Sequence, residues 1–254
     1  MRDATLQLRS LMGAWRPVYA RRLALHATAE AVVMAAWRAD VRRLDLASAV
    51  TAWRAAVGEA AEPQDVHRQQ SAAGAALAVL TARPWRRTRG ALVLAARRAH
   101  RAGWAAGHRL TGGSHVDDDG PLPGQLVLGA PEMSDDTADA TAAATLAAAL
   151  GATAWRSGRA MADSADDPQR DAEEVLDAGL DMALAADVAV SAAYGAGLLS
   201  AYLGAGAGSV LWLTAGDGRV CERCASAEAG GPYNLLASPR LPQHPRCRCV
   251  LAPA

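Results

Sequence analysis

A cluster of cysteines near the C-terminal end constrains this chain more than any other feature. The four cysteines and one histidine stand there in the order Cys221-x-x-Cys224, His244 and Cys247-x-Cys249. A CxxC turn brings two thiolates close enough to share one metal ion, and residues i and i+2 of an extended segment point to the same face. The second cysteine pair can therefore face the first. Five candidate ligands are present, one more than a tetrahedral zinc ion needs.

We expect this cluster to hold a structural zinc ion, with one of the five side chains to spare. The sequence leaves two other interpretations open, namely two disulfides or an unmetallated group of thiols. Cytoplasmic thiols stay reduced, although a particle released from a cell could oxidise later. A catalytic zinc would need an open coordination position and a nearby acid or base. Only Asp217, Glu222 and Glu228 lie close in sequence, so we expect no catalytic residues.

Composition indicates a folded, helical protein. The chain has 254 residues, 51% of them hydrophobic and 20% charged, which excludes wholesale disorder and fits one or two domains. It is rich in Ala, the best helix former, and contains no Phe, Lys or Ile. Those absences follow from a GC-rich genome and carry no functional meaning. Every basic side chain apart from histidine is therefore an arginine.

Patterns of apolar and capping residues predict several helices. Helices are expected over residues 18–44, from the Asp45 cap to about Gly58, from Pro63 to before Pro84, over 91–110, over 137–161, and from the Asp167 cap onward. Two apolar stripes, Val18–Leu25–Val32 and Leu23–Met34–Trp37–Val41, predict that the first helix is contacted on two sides. The fold class expected is mainly α, with an N-terminal helical bundle, a helical segment and a small irregular α+β zinc-binding C-terminal module.

Three regions follow along the chain. Residues 1–110 form a basic helical region, residues 111–136 a linker rich in Gly, Pro and Asp, and residues 137–254 a third region. Its final part, 210–254, begins with a β-prone run at Val210–Thr214 and a Gly216–Gly218 turn, and we expect something other than a hydrophobic core to hold it. Residues 188–216 carry no charge, and their Ala and Gly favour a buried helix with a Gly-rich bend over a membrane span.

Charge is strongly segregated beneath a net charge of zero. Residues 1–110 carry a balance of +11, residues 111–190 a balance of −13, and residues 191–254 a balance of +2. The helix predicted over 91–110 and the residues before it hold a group of basic side chains: Arg86, Arg87, Arg89, Arg97, Arg101 and His108. The doublets Arg21-Arg22 and Arg42-Arg43 add to it. These arginines could contact DNA phosphates or an acidic protein surface, or simply be solvated.

The C-terminal run is specific enough to indicate a family. Asp217-Gly218-Arg219-Val220-Cys221-Glu222-Arg223-Cys224, followed by His244-Pro245-Arg246-Cys247-Arg248-Cys249, resembles the C-terminal domain of phage Mu F-like minor head proteins, the head morphogenesis family of tailed phages. The resemblance covers residues 210–254 densely and is compatible with a helical lead-in over 137–209. It implies a low-copy structural protein made beside the portal and the major capsid protein, with no established enzymatic activity.

From this resemblance we expect a minor capsid protein that acts in head assembly, DNA packaging or DNA ejection. It would be made in the host cytoplasm and end in the virion head. Its partners would be the portal or the major capsid protein, and packaged DNA if the basic helices reach it; no small-molecule substrate and no membrane are expected. Two alternatives stay open: a regulatory nucleic-acid-binding zinc module, and a zinc-dependent enzyme delivered with DNA.

Overall fold

The protein is mainly helical with a small sheet near its C-terminal end. The computed structural model describes residues 2–57, 65–112, 132–164, 166–215 and 220–254. Eight α-helices lie in these ranges: α1 (Arg2–Val41), α2 (Leu46–Val57), α3 (Val66–Thr81), α4 (Arg86–Leu110), α5 (Asp135–Asp163), α6 (Pro168–Ala178), α7 (Leu180–Gly204) and α8 (Glu222–Ala229). The expected mainly α class with a small α+β element is confirmed.

Two helix starts follow the predicted capping. Asp45 accepts hydrogen bonds from the backbone nitrogen of Ser48 at 3.0 Å and from its hydroxyl at 2.6 Å, just before α2. Asp167 accepts from the backbone nitrogen of Arg170 at 3.1 Å, and Pro168 is the first residue of α6. Pro63 and most of the predicted linker, residues 113–131, lie outside the described residues.

The sheet has three antiparallel strands, β1 (Ser209–Leu213), β2 (Tyr233–Asn234) and β3 (Val250–Pro253), in the order β2-β1-β3. Trp212 pairs with Leu251, and Val210 lies between Tyr233 and Pro253. The predicted β-prone run is confirmed as the central strand. The predicted Gly216–Gly218 turn lies outside the described residues.

The chain forms two compact units, each assembled from separate segments. Unit 1 comprises Met1–Ala29, Val93–Thr141 and Asp187–Ala254, and unit 2 comprises Glu30–Leu92 and Ala142–Ala186. Both units draw on residues from before position 110 and from after position 136. The compact units are thus interleaved in sequence.

Unit 1 has a continuous hydrophobic core that includes the C-terminal segment. Trp212, Val250 and Leu251 are buried in one cluster with Leu198 and Tyr202 of α7. The Tyr202 hydroxyl donates to the Leu251 carbonyl oxygen at 2.8 Å. The expectation that something other than a hydrophobic core holds residues 210–254 is therefore wrong, because the strands bury their apolar faces against α7.

Helices α4 and α7 approach so closely within unit 1 that only glycine fits at their contact. A methyl group on Gly103 would lie 2.1 Å from the Tyr194 carbonyl oxygen, and one on Gly197 would lie 2.0 Å from the His100 carbonyl oxygen. Real side chains never approach a backbone atom this closely. The missing Cβ atoms therefore set the distance between the two helices.

Unit 2 packs around an aromatic pair. The rings of Trp37 and Trp85 stack with centroids 4.7 Å apart, and the Trp37 indole nitrogen donates to the Leu176 carbonyl oxygen at 2.7 Å. Asp40 accepts from the backbone nitrogen of Thr88 at 3.0 Å and from its hydroxyl at 2.9 Å, which caps the first turn of α4. Trp37 is fully buried and Trp85 is 5% exposed, so the stack lies in the interior of the unit.

One helical stretch of the described residues, Pro168–Gly204, is long and apolar enough to cross a membrane by length and composition alone. Of the most apolar 18-residue window in this stretch, 61% is buried inside the protein. Core helices of soluble proteins are equally long and apolar.

Candidate metal centre

The candidate ligands lie on two chain segments that β1 brings together. Cys221 precedes α8 in an extended conformation, and Cys224 lies in the first turn of that helix. Cys249 stands directly before β3, which pairs with β1. At the end of β1, Glu228 of α8 accepts hydrogen bonds from the backbone nitrogen and the hydroxyl of Thr214, both at 2.9 Å. One strand thus positions both cysteine pairs.

All five predicted side chains cluster closely enough to bind a metal ion. Their ligand atoms form two groups of three, Cys221 with Cys224 and His244, and Cys224 with Cys247 and Cys249, and the atoms within each group lie within 4.8 Å of one another. Cys224 belongs to both groups. All four cysteines are free thiols, and three of them are buried.

The distances between donor atoms suit a small tetrahedral ion. With zinc–sulfur bonds of about 2.3 Å and zinc–nitrogen bonds of about 2.0 Å, tetrahedral geometry places two sulfurs about 3.8 Å apart and a sulfur and a nitrogen about 3.5 Å apart. The Cys224 and Cys247 sulfurs are 3.9 Å apart, and the Cys224 sulfur is 3.3 Å from His244 Nε2. Both donor–donor distances fit a tetrahedral site without large movement of the side chains.

His244 holds the tautomer that a metal ligand needs. Its Nδ1 lies 2.8 Å from the Pro245 carbonyl oxygen, which can only accept, so Nδ1 carries the proton. In the neutral imidazole Nε2 is then unprotonated, and it can accept from the Cys224 thiol or bind a metal ion. Metal-binding histidines are commonly oriented by a backbone carbonyl in this way.

Hydrogen bonds among the clustered thiols and their burial shift their pKa values in both directions. A hydrogen bond from the Cys249 thiol lowers the pKa of Cys247 to about 5, and the same hydrogen bond raises the pKa of Cys249. Burial raises the pKa of Cys224 to about 12. The backbone nitrogen of Cys224 lowers the pKa of Cys221, and the Pro245 carbonyl raises that of His244. A bound cation would replace the thiol protons.

A buried arginine that the sequence does not reveal stands behind the cluster. Arg22 of α1 is only 2% exposed, and its guanidinium donates to the carbonyl oxygens of Cys247 (2.9 Å) and Cys249. Arg22 therefore donates to backbone carbonyls instead of facing DNA, an acidic surface or solvent, the three environments expected for the Arg21-Arg22 doublet. An arginine on a helix gives the same sequence signal whether it meets solvent or a distant carbonyl, so no pattern could have found this contact.

Two further side chains of unit 1, His26 and Asp187, hold the segment before β3 in place. His26 Nδ1 lies 2.7 Å from an oxygen of Asp187, whose other oxygen accepts from the backbone nitrogen of Arg246 at 2.6 Å. Hydrogen bonds from His26 and Arg246 lower the pKa of Asp187 although burial, the largest single effect, opposes them. The segment before β3 is thus anchored on either side of Cys247.

The predicted basic residues lie in two different environments. In unit 2, Arg86, Arg87 and Arg89 are exposed. In unit 1, Arg97 forms an ion pair with Asp135, and Arg101 is half-buried. The half-buried His108 ring packs against Trp104 with centroids 3.9 Å apart.

Compared with models of protein families, with curated proteins and with solved structures, the chain matches none of them.

Proposed function

We propose that the chain is a minor head protein of a tailed phage or prophage, in which a structural zinc ion holds the C-terminal segment in shape for docking on the portal or the capsid. The convergence of five Cys and His donors carries this proposal, because those residues make up the run that resembles Mu F-like proteins. Zinc is favoured among metals because thiolate and imidazole are its preferred ligands.

A structural role for the ion is supported by the surroundings of the cluster. Structural zinc sites are closed, whereas catalytic ones keep an open position beside an acid or base. Three of the four cysteines are buried, and Glu228 already accepts two hydrogen bonds from Thr214. Cys221, Cys224, His244, Cys247 and Cys249 would supply four ligands and one spare.

An exposed leucine of the C-terminal segment offers a contact for a protein partner. Leu236 is 85% exposed on a single 3₁₀ turn, Leu235–Ala237, which is capped by the Asn234 side chain at 3.0 Å. We expect Leu236→Asp to remove the protein from particles while its fold and zinc content stay unchanged. Leu203→Asp, at a leucine 59% exposed on α7, is the matched control that should still be incorporated.

The DNA contact included in this proposal would use the basic surface of unit 2. Arg42, Arg43, Arg86 and Arg87 are exposed and form no ion pair with any described residue, and Arg83 donates to the Arg43 carbonyl oxygen at 3.2 Å, which joins the two groups. Arginine clusters bind phosphates with a salt-dependent affinity.

Fluorescence anisotropy with duplex DNA tests this contact. Arg86→Gln with Arg87→Gln should weaken binding at least about tenfold and reduce the dependence on salt by roughly two phosphate contacts. Unchanged binding would exclude this contact and leave an acidic protein surface or simple solvation as the environment of these arginines.

The deciding experiment for the whole proposal is quantitative mass spectrometry of particles purified from the source host, combined with metal analysis of the reduced, purified chain. We expect a few copies per particle that survive stringent washing, and one zinc ion per chain. Absence from particles of a protein that is abundant in the lysate would overturn the head assignment. Far less than one metal ion per chain would overturn the zinc site independently.

A further inference from the structure

We infer that Arg22 is a positioning residue of the metal centre, which fixes the Cys247-x-Cys249 segment and balances the charge of a thiolate-bound ion. The inference rests on the metal binding proposed above and extends it to a residue on α1, more than two hundred positions away in sequence. It depends on three observations: the hydrogen bonds of the guanidinium, the absence of a carboxylate against it, and the anchoring of the residues next to the ligands.

The hydrogen bonds join Arg22 to the backbone of two candidate ligands at once. Its two terminal nitrogens donate to the carbonyl oxygens of Cys247 and Cys249, and one of them also lies 3.1 Å from the Ser191 hydroxyl. In extended backbone the carbonyls of residues i and i+2 point to the same side, so one planar guanidinium can hold both. Fixing these peptide groups also fixes the direction of both sulfurs.

The charge of Arg22 lacks a direct partner among the described residues. The remaining acceptor is His26 Nε2 at 3.4 Å, and the Tyr194 ring lies 5.6 Å from the guanidinium carbon. No carboxylate lies within ion-pair distance of the guanidinium among the described residues, and Asp187, which is paired with His26, acts on Arg22 electrostatically from further away. A buried cation without a close counter-charge is costly. A divalent ion held by three or four thiolates carries one or two net negative charges, which would add a closer counter-charge.

Further contacts hold Arg246, one of the two residues between His244 and Cys247. Arg246 has a positive φ of 60°, which is uncommon for a side chain of this kind, and its backbone nitrogen donates to Asp187. Asp187 is in turn paired with His26, which accepts from Arg22 Nε. Arg22 therefore acts on the ligand segment both directly and through His26 and Asp187. Mutation of hydrogen-bond partners of this kind typically lowers metal affinity by roughly 10–100-fold.

The test compares zinc affinity in the full chain, measured by competition with a chromogenic chelator, among the wild type, Arg22→Met, Arg22→Lys and Arg21→Met. Arg21 is the exposed neighbour and serves as the control. We expect Arg22→Met to weaken zinc binding by roughly 10–100-fold and Arg21→Met to leave it unchanged. Arg22→Lys keeps the charge but not the planar fork, so its affinity should lie between the two.

A cobalt spectrum gives a readout that loss of general stability would not produce. The intensity of the thiolate-to-cobalt band reports the number of bound thiolates, and we expect it to fall in Arg22→Met and in Arg22→Lys. If Arg22→Met does not fold, the spectrum and affinity of Arg22→Lys decide the matter. Wild-type zinc binding with unchanged affinity and spectrum in the Arg22 variants would overturn this inference alone. A wild-type chain that binds neither metal would overturn the metal site itself.

Discussion

The two compact units stabilise their buried charges by different kinds of contact. In unit 2 the buried Asp181 carboxylate meets a cation, Arg156, and accepts from the Thr153 hydroxyl at 3.1 Å. In unit 1 the buried cation Arg22 donates to backbone carbonyl and hydroxyl oxygens, and the Asp187 carboxylate acts on it only from further away. The charge of Asp181 is thus balanced by a close ion pair, whereas the charge of Arg22 can also offset negative charge on the neighbouring thiols.

Removing the shared ligand should have the largest effect. Cys224 belongs to both groups of three donors, so Cys224→Ser leaves neither group complete. We expect zinc content to fall to near zero and zinc affinity to fall by several orders of magnitude, because metal binding and ordering of the ligand segments are coupled. Metal analysis after dialysis measures this. Ser226→Ala, at an exposed position of the same helix, should keep a full zinc complement. Retention of zinc by Cys224→Ser would contradict this prediction and make Cys224 the spare donor.

A mutation in the core of unit 2 should lower the stability of the protein without changing its zinc binding. Trp37→Ala removes a fully buried ring stacked on Trp85, and we expect it to lower the free energy of unfolding by about 3–5 kcal/mol. Trp155→Ala, at a ring 51% exposed in the same unit, should change stability by less than about 0.5 kcal/mol. Urea denaturation measures both values. Loss of zinc from folded Trp37→Ala would contradict the separation drawn between the units.

One helix allows opposite effects to be compared directly. Gly103→Ala in the unit 1 part of α4 would place a methyl group against the Tyr194 carbonyl, and we expect a loss of about 1–3 kcal/mol. Gly90→Ala in the unit 2 part meets nothing within 4 Å and should stabilise the helix by about 0.5–1 kcal/mol. Thermal denaturation should therefore give shifts of opposite sign; shifts of the same sign would mean that α4 and α7 are not in close contact.

The smallest expected effect concerns acid stability. Burial lowers the pKa of His100 in unit 1 below its ordinary value of 6.5, so the unfolded chain binds the proton more readily than the folded one. The stability contributed by neutral His100 is complete above pH 6.5 and falls as the pH drops below it. His100→Gln should flatten that decline in melting temperature, and His67→Gln, at an exposed position in unit 2, should not. Identical declines in both variants would contradict this account.

Sequence reasoning succeeded where the determinants are local. The capping roles of Asp45 and Asp167 depend on residues three positions away, and the strand at Val210–Leu213 depends on β-branched and aromatic composition. The apolar stripes of α1 were less reliable, because Leu23 and Val32 are 47% and 40% exposed. Periodicity identifies a face that could be covered, but the partner that covers it is set by the tertiary fold.

The candidate site could be predicted only as far as its ligands. Cysteine and histidine at metal-binding spacing are rare enough to be recognised, and their convergence is confirmed. Arg22 could not be found in this way, because its contacts with Cys247 and Cys249 span 225 and 227 positions and arginine is common throughout residues 1–110. The same holds for the contact between Gly103 and α7, which no local pattern encodes.

The interleaving of the two units sets an order in which the chain can be completed during translation. All segments of unit 2 have been synthesised once residue 186 is reached. The Cys249 carbonyl oxygen, which accepts a hydrogen bond from Arg22, is synthesised later. At typical synthesis rates the intervening residues take roughly 3–12 s, far longer than helix formation. For that interval Arg22 lacks its carbonyl acceptors, and the buried apolar residues of α1 lack the residues after position 186 that pack with them in unit 1. A ribosome-bound chaperone or an early-binding partner would have its best opportunity then.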